Sequence, residues 1–405
     1  MKWWLVVFTI CSLAINQNVA AQWNIVDVGT TEGLFSVCFI NKDTGFICGT
    51  NTLLQSFDGG ENWSPAPSVN VYGYQLFAIN FPTKKVGYVA GPFIVLKTED
   101  SGITWNNVTP PNAEYLYDIQ FLNKDTGVVS GDSKYFKTVD GGQTWQEIFP
   151  DIFSGISYEY IQFLTLNTGF LCSADPGGTA ILVKSVDEGV NWNLAFPLPF
   201  PSPAFFQPYK VFQFFSSGIG YAGIGGGIFK TINAGDAWST LSFSSSCSNL
   251  FFLSVDTGYV AGSDSNLTTA IYKTYDGGNS WMRTSTPYPD SSLYVIEMFF
   301  LDKNYGFAVG SNGLFMKTEN GGGYLGIEPT KNDLPILFPN PVGDFLSIQR
   351  TESSPTEISI MNLLGETVKE KVSAEKIIKI DMRNITRGCY MVKLDGRLLT
   401  KFIKQ

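Results

Sequence analysis

Seven tryptophans fall at positions 23, 63, 105, 145, 192, 238 and 281, separated by 40, 42, 40, 47, 46 and 43 residues. Apart from Trp3 and Trp4, no tryptophan lies outside this series. A period of that length marks a supersecondary unit repeated in tandem, each copy too small to bury its own apolar face and so obliged to stack on its neighbours. The period constrains the architecture of most of the chain and says little about what it binds.

Each unit has the same internal grammar. A turn precedes six of the tryptophans: Asp58-Gly-Gly60, Asp100-Ser-Gly102, Asp140-Gly-Gly142, Asp187-Glu-Gly189, Asn233-Ala-Gly235 and Asp276-Gly-Gly278. Thr318-Glu-Asn320-Gly-Gly322 is a degenerate seventh copy. The Asp or Asn accepts hydrogen bonds from its own turn and the glycine permits positive φ, so the segment reads as a hairpin turn. A second signature is an aromatic residue, a polar stretch, then a short apolar run flanked by glycines, as in Phe39…Gly45-Phe-Ile-Cys-Gly49 and Phe300…Gly306-Phe-Ala-Val-Gly310. These runs have strand length, not helix length.

Each repeat therefore reads as four short antiparallel strands, one blade of a β-propeller. The last blade lacks its own tryptophan strand, and Trp23-Asn24-Ile25-Val26 can supply it, which would remove two exposed sheet edges. Residues 1–21 read as a cleaved signal peptide, with Lys2, an apolar core over 3–14 and Val19-Ala20-Ala21 before the cut. That core is too short to span a bilayer, and no other segment is long enough. Composition changes after about residue 331: residues 332–405 carry 11 Lys+Arg against 9 Asp+Glu, whereas 1–331 carry 16 against 27. The expected fold is all-β, with a seven-bladed propeller over 22–326, a linker over 327–335 and a small Ig-like β-sandwich over 336–405.

The tandem turns, purest at Lys137-Thr-Val-Asp140-Gly-Gly142-Gln-Thr-Trp145, resemble those of the Asp-box (BNR-like) propellers, most closely those related to the photosystem II assembly factor. The resemblance covers roughly residues 22–326. A photosynthetic role does not follow from it, and the arginine patch of those relatives is missing, because Arg283 is the propeller's only arginine. The tail carries Phe338-Pro339-Asn340-Pro341, Phe345-Leu-Ser-Ile348, Ile385-Thr-Arg-Gly388-Cys-Tyr390 and Lys401-Phe-Ile-Lys404. It resembles the type A C-terminal sorting domain of the type IX secretion system of Bacteroidetes, with Pro339, Asn340, Pro341, Gly388, Tyr390 and Lys401 as the motif residues. That resemblance implies engagement of the secretion machinery and passage through the periplasm to the outer surface or beyond. Removal of the tail would follow, with release or attachment to lipopolysaccharide.

The chain has no histidine, which excludes histidine-based acid–base catalysis, Ser-His-Asp and Cys-His triads, and histidine metal sites. Cys48 and Cys172 occupy one repeat position, where other blades have Ala90, Ser130 and Ala261, so they read as small core residues. Cys38 and Cys48 lie on consecutive strands, and a disulfide between them stays open. No cofactor or metal is expected. The acids Asp58, Asp100, Asp140, Asp187 and Asp276 recur once per blade around the rim, so they read as structural and not as a converging site.

The opposite face is built from loops that vary in length between repeats, and variable loops on a rigid scaffold are where binding resides. The candidate ligand-binding residues there are Tyr158, Glu159, Tyr160, Phe205, Tyr209, Asp132, Asp175 and Asp264. Aromatic rings with a few carboxylates suit a sugar ring or a peptide. The expected function is a secreted or surface binding module for a carbohydrate, glycoprotein or protein. Two alternatives stay open: a two-carboxylate glycoside hydrolase, and a scaffold for an envelope complex. A sialidase is excluded for want of three arginines, and nucleic acid by the acidic charge of the propeller.

Overall fold

The computed structural model describes residues 23–150, 157–174, 179–195, 200–201, 212–224, 227–243, 245–263, 269–284, 286–287, 293–323, 336–338, 341–349, 355–362, 366–394 and 397–405. The leader read over 1–21 lies outside them. The chain separates into two compact units, 1–325 and 326–405.

The first unit is a seven-bladed propeller. It contains seven antiparallel sheets of four strands, the fourth with an added short strand, Phe200–Pro201. In blade 1 the order from axis to rim is Leu34–Phe39, Gly45–Gly49, Thr52–Ser56 and Ser64–Pro65. The Phe-ending strand is innermost, and the strand after each tryptophan is outermost. Blade 7 takes its outer strand from the other end of the propeller: Asn24 pairs with Lys317 and Ile25 with Met316. Trp23 is fully buried against Phe300, their rings edge-on at 5.7 Å.

The glycine and aromatic signatures have one physical explanation. The inner-strand phenylalanine folds over the glycine that opens the second strand of its own blade. A Cβ on Gly45 would stand 2.4 Å from the Phe39 ring, and one on Gly306 would stand 2.2 Å from Phe300. With no Cβ in the way, the ring lies parallel to the aromatic residue of the preceding blade. Phe39 stacks on Phe307 at 3.6 Å, Phe121 on Tyr88 at 3.5 Å, Phe214 on Phe170 at 3.6 Å and Phe252 on Tyr221 at 3.7 Å. At this separation the rings lie nearly face to face, so each pair contributes mainly through the apolar area it buries. Between blades 3 and 4 Val128 holds the aromatic slot, and Tyr135 from the third strand fills the space, donating its hydroxyl to the Gly189 carbonyl at 3.1 Å.

The Asp turns pack on the inner hairpin turns of the same blades. The Gly59 amide donates to the Asp43 carbonyl at 2.8 Å, and the Gly141 amide to that of Asp125 at 2.7 Å. Both turns of a blade thus share one face. Within the turn, Asp140 Oδ1 accepts from Thr138 Oγ1 at 2.8 Å and from the Thr144 amide at 2.9 Å, while Oδ2 accepts from Thr144 Oγ1 at 2.5 Å. Asp58, Asp100, Asp187 and Asp276 repeat the pattern. These donors, led by the Asn62 amide at Asp58 and the Thr144 hydroxyl at Asp140, hold both carboxyls down at about 2.

The second unit is a two-sheet β domain. One sheet has the order Ile336–Phe338, Phe345–Gln349, Ile377–Asp381, and the other Thr367–Ser373, Thr356–Asn362, Gly388–Leu394, Arg397–Lys404. Leu346, Ile348, Ile378 and Ile380 from the first sheet meet Ile358, Ile360, Tyr390, Val392 and Phe402 from the second in one core. Tyr390 is buried and its hydroxyl donates to the Thr386 carbonyl at 2.9 Å. Gly388 opens that strand, Lys401 pairs with Met391 and Pro341 is exposed. Pro339 and Asn340 lie outside the described residues.

Candidate functional site: the channel mouth

The inner strands carry a bulge near the loop face. Pairing with the second strand slips between Leu34 and Ser36, Leu116 and Asp118, Tyr158 and Tyr160, and Val295 and Glu297. A bulge re-aims the extra residue, so Phe35, Tyr117 and Glu159 line the cavity at the axis instead of joining their strands' alternation. The rings form a chain: Phe35 is 5.2 Å from Phe77, and Phe77 lies parallel to Tyr117 at 6.1 Å. Tyr117 donates its hydroxyl to Asp132 Oδ1 at 2.9 Å, and Ser157 Oγ donates to the same oxygen at 2.7 Å.

Below the bulges, side chains of one blade satisfy the inner-strand backbone of the next. Glu297 accepts from the Val37 amide at 3.2 Å, Ser36 from Ile79 at 3.3 Å, and Asp118 from Ile161 at 3.0 Å. One layer deeper, Gln120, Gln162 and Gln213 each grip the next blade's phenylalanine by both amide and carbonyl, at Phe163, Phe214 and Phe252. Phe251 and Phe299 take the equivalent places in blades 6 and 7, their rings 6.1 Å apart. Inner strands have no sheet partner on their axial side, so these bonds supply the pairing that buried backbone groups require.

Between the bulges and the glutamines is a cavity of about 180 Å³, lined by Phe35, Phe77, Tyr117, Asp118, Glu159, Tyr160, Gln120, Gln162, Gln213 and Glu297 among others. Its described lining has three carboxylates and no lysine or arginine. Burial, with the charge of Asp132 adding to it, pushes the Glu159 carboxyl up to about 7. Burial also raises the Tyr117 and Tyr160 phenols, so both stay neutral donors. Among the described residues, no group of three acidic or thiol side chains is placed to hold a metal ion.

The structure brings together Asp132, Glu159 and Tyr160 of the residues singled out from sequence. Tyr158 is different: it is 2 % exposed, in a core with Tyr135, Ile161 and Trp192, and is not presented to a ligand. The bulge is the cause, because it inverts the expected side-chain alternation between 158 and 160. Phe205, Tyr209, Asp175 and Asp264 lie outside the described residues. No disulfide joins Cys38 and Cys48. The sequence reading missed Phe35, Phe77, Asp118, Glu297 and the three glutamines. A Gln-Phe pair closing the inner strand in three successive blades (120–121, 162–163, 213–214) was the available signal.

The family described as photosynthesis system II assembly factor YCF48 matches residues 15–113 and 104–244, more than half of the chain. The chain belongs to this family. Residues 336–405 match the secretion system C-terminal sorting domain, a domain that directs export to the cell surface or the exterior. Among solved structures, YCF48 bound to D1 peptide aligns at 20% identity with a TM-score of 0.57, over 73% of this chain and 96% of that one. YCF48 from Cyanidioschyzon merolae aligns at 19% and 0.57, over 74% and 99%. The GH74 enzyme of Niastella koreensis aligns at 15% and 0.51, over 72% of this chain and 44% of the enzyme. At these identities the similarity establishes the fold. No curated protein matches the sequence. No helix among the described residues is long and apolar enough to cross a membrane.

Proposed function

We propose that this is an exported propeller that binds a ligand at the loop-face mouth of its central channel, the ligand being a protein or glycan outside the cell. The observation that carries the reading is the joined arrangement of Phe35, Phe77, Tyr117 and Asp132 at the entrance to a polar cavity. Rigid rings supply contact area at low entropic cost, and a few fixed polar groups supply orientation. The sorting domain supports action at the cell surface or beyond, and a relative solved with a bound peptide makes a peptide segment a natural ligand class. Array screening of the full chain tests the proposal, with a Tyr117→Ala variant as control. Hits that weaken in the variant support it, and hits indifferent to Tyr117 count against it.

A second reading, a two-carboxylate glycoside hydrolase, is favoured by one observation: Glu159 is poised to hold a proton near neutral pH next to Asp132. A carboxyl group that keeps its proton beside a second carboxyl group is a pairing that glycosidases use. Turnover of any bound glycan, abolished by Glu159→Gln, would decide for it. Binding without cleavage would decide against it.

A further inference from the structure

The proposed function leaves open which ligand group enters the channel. Resting on that binding reading, we infer that the cavity accepts a primary ammonium group on a slender apolar stem, the side chain of a lysine on a protein partner. Three features of the cavity carry this. Size comes first: ligand pockets for whole small molecules run to roughly 300–1,000 Å³, and about 180 Å³ suits one side chain better than a ring system. The wall comes second: Phe35, Phe77 and Tyr117 offer apolar and π surface for a methylene stem and its cationic tip.

Polarity comes third. Every charged side chain in the described lining is a carboxylate: Asp118, Glu159 and Glu297. Asp118 and Glu297 already accept backbone amides of neighbouring blades, so they fix the cavity shape and add negative potential. Glu159 is the bulge residue of its strand, one position further toward the loop face than the residues equivalent to Asp118 and Glu297. A guanidinium has a planar fork that a narrow cavity fits less well than a compact ammonium. An anionic or carboxylate-bearing group would be repelled by Asp118 and Glu297 and, above about pH 7, by Glu159 as well.

The test uses the full chain and two probes, acetyl-Gly-Lys-Gly-amide and the same peptide acetylated on the lysine Nε, titrated calorimetrically at pH 8.5 and low salt. A chito-oligosaccharide of glucosamine, whose ammonium is on a sugar ring, is the third arm. The expected result is binding of the lysine peptide at least about tenfold tighter than its acetylated form, with that preference lost in Glu159→Gln and in Glu159→Lys. Near-UV circular dichroism checks the fold of both, and Phe77→Leu serves as a second variant if either misfolds, with weaker binding of the lysine peptide expected. Equal affinity for the two peptides, indifference to residue 159, or a preference for the glucosamine oligomer would each overturn the inference. A neutral ligand bound at the mouth in competition with neither peptide would overturn it while sparing the binding reading. No ligand of any class at Tyr117 would overturn both.

Discussion

Gln162 grips Phe214 across the boundary between blades 4 and 5: its Oε1 accepts the Phe214 amide at 2.8 Å and its Nε2 donates to the Phe214 carbonyl at 3.0 Å. A carboxamide is the smallest side chain that can imitate a neighbouring strand, offering one acceptor and one donor. Gln162→Ala leaves both half-buried backbone groups without that partner, and each unsatisfied group costs about 1–3 kcal/mol. We expect a loss of about 2–4 kcal/mol in urea unfolding. Gln162→Glu can accept from the amide but cannot donate to the carbonyl, and should recover part of it.

Gly45→Ala is expected to destabilise the propeller by about 1–3 kcal/mol, the usual cost of overpacking. Its Cβ would lie 2.4 Å from the Phe39 ring, and that ring is held against Phe307 at 3.6 Å and cannot retreat. Gly33→Ala is the control, because its Cβ meets Phe35 at an ordinary 3.5 Å. Thermal melts of the two variants should differ by several degrees.

Asp140 gives an acid-side prediction. Its folded-state carboxyl lies at about 2, below the ordinary value of 3.8, held there first by the Thr144 hydroxyl and amide. A depressed carboxyl contributes stability that is present above its unfolded pKa and is lost as pH falls toward the folded one. Unfolding followed between pH 4 and 2 should therefore show a pH slope that shrinks in Asp140→Asn. Ligand affinity should not change in that variant, since the Asp turns and the loops occupy opposite faces.

Glu159 has the opposite sign. Its folded carboxyl is raised to about 7 from an ordinary 4.5, first by burial and then by Asp132. Between these values the unfolded chain gives up the proton while the folded one keeps it, so stability falls as pH rises from about 4.5 to about 7 and levels off above. The facing groups are Asp132, Tyr117, Tyr160, Asp118 and Glu297, and the phenols stay neutral throughout this window. The full difference corresponds to up to about 3 kcal/mol. Glu159→Gln should flatten the profile and be the more stable protein at pH 8, measured by urea midpoints.

The fold was legible because its repeating unit stamps one residue type on one position. Trp63, Trp105 and Trp192 each donate the indole N–H to the carbonyl of the glycine that stands two residues after the Asp of their own turn, so tryptophan and turn recur together. The N-terminal strand was legible because the cycle starts one strand early. The site was less legible for two physical reasons. A bulge changes which face a residue occupies without changing composition, so Tyr158 looked like a ligand contact and Phe35 did not. Inner-strand acids such as Asp118 and Glu297 are spread over distant repeats, and only closure of the ring brings them to one cavity.

The decisive measurement for the loop-face reading is a combined peptide and glycan array of the full chain beside a Tyr117→Ala/Glu159→Lys double variant of verified fold. The reading predicts hits for the wild-type chain that disappear in the double variant, with an Asp140→Asn control unaffected. Hits that survive unchanged in the double variant, or that vanish with Asp140→Asn instead, would contradict it.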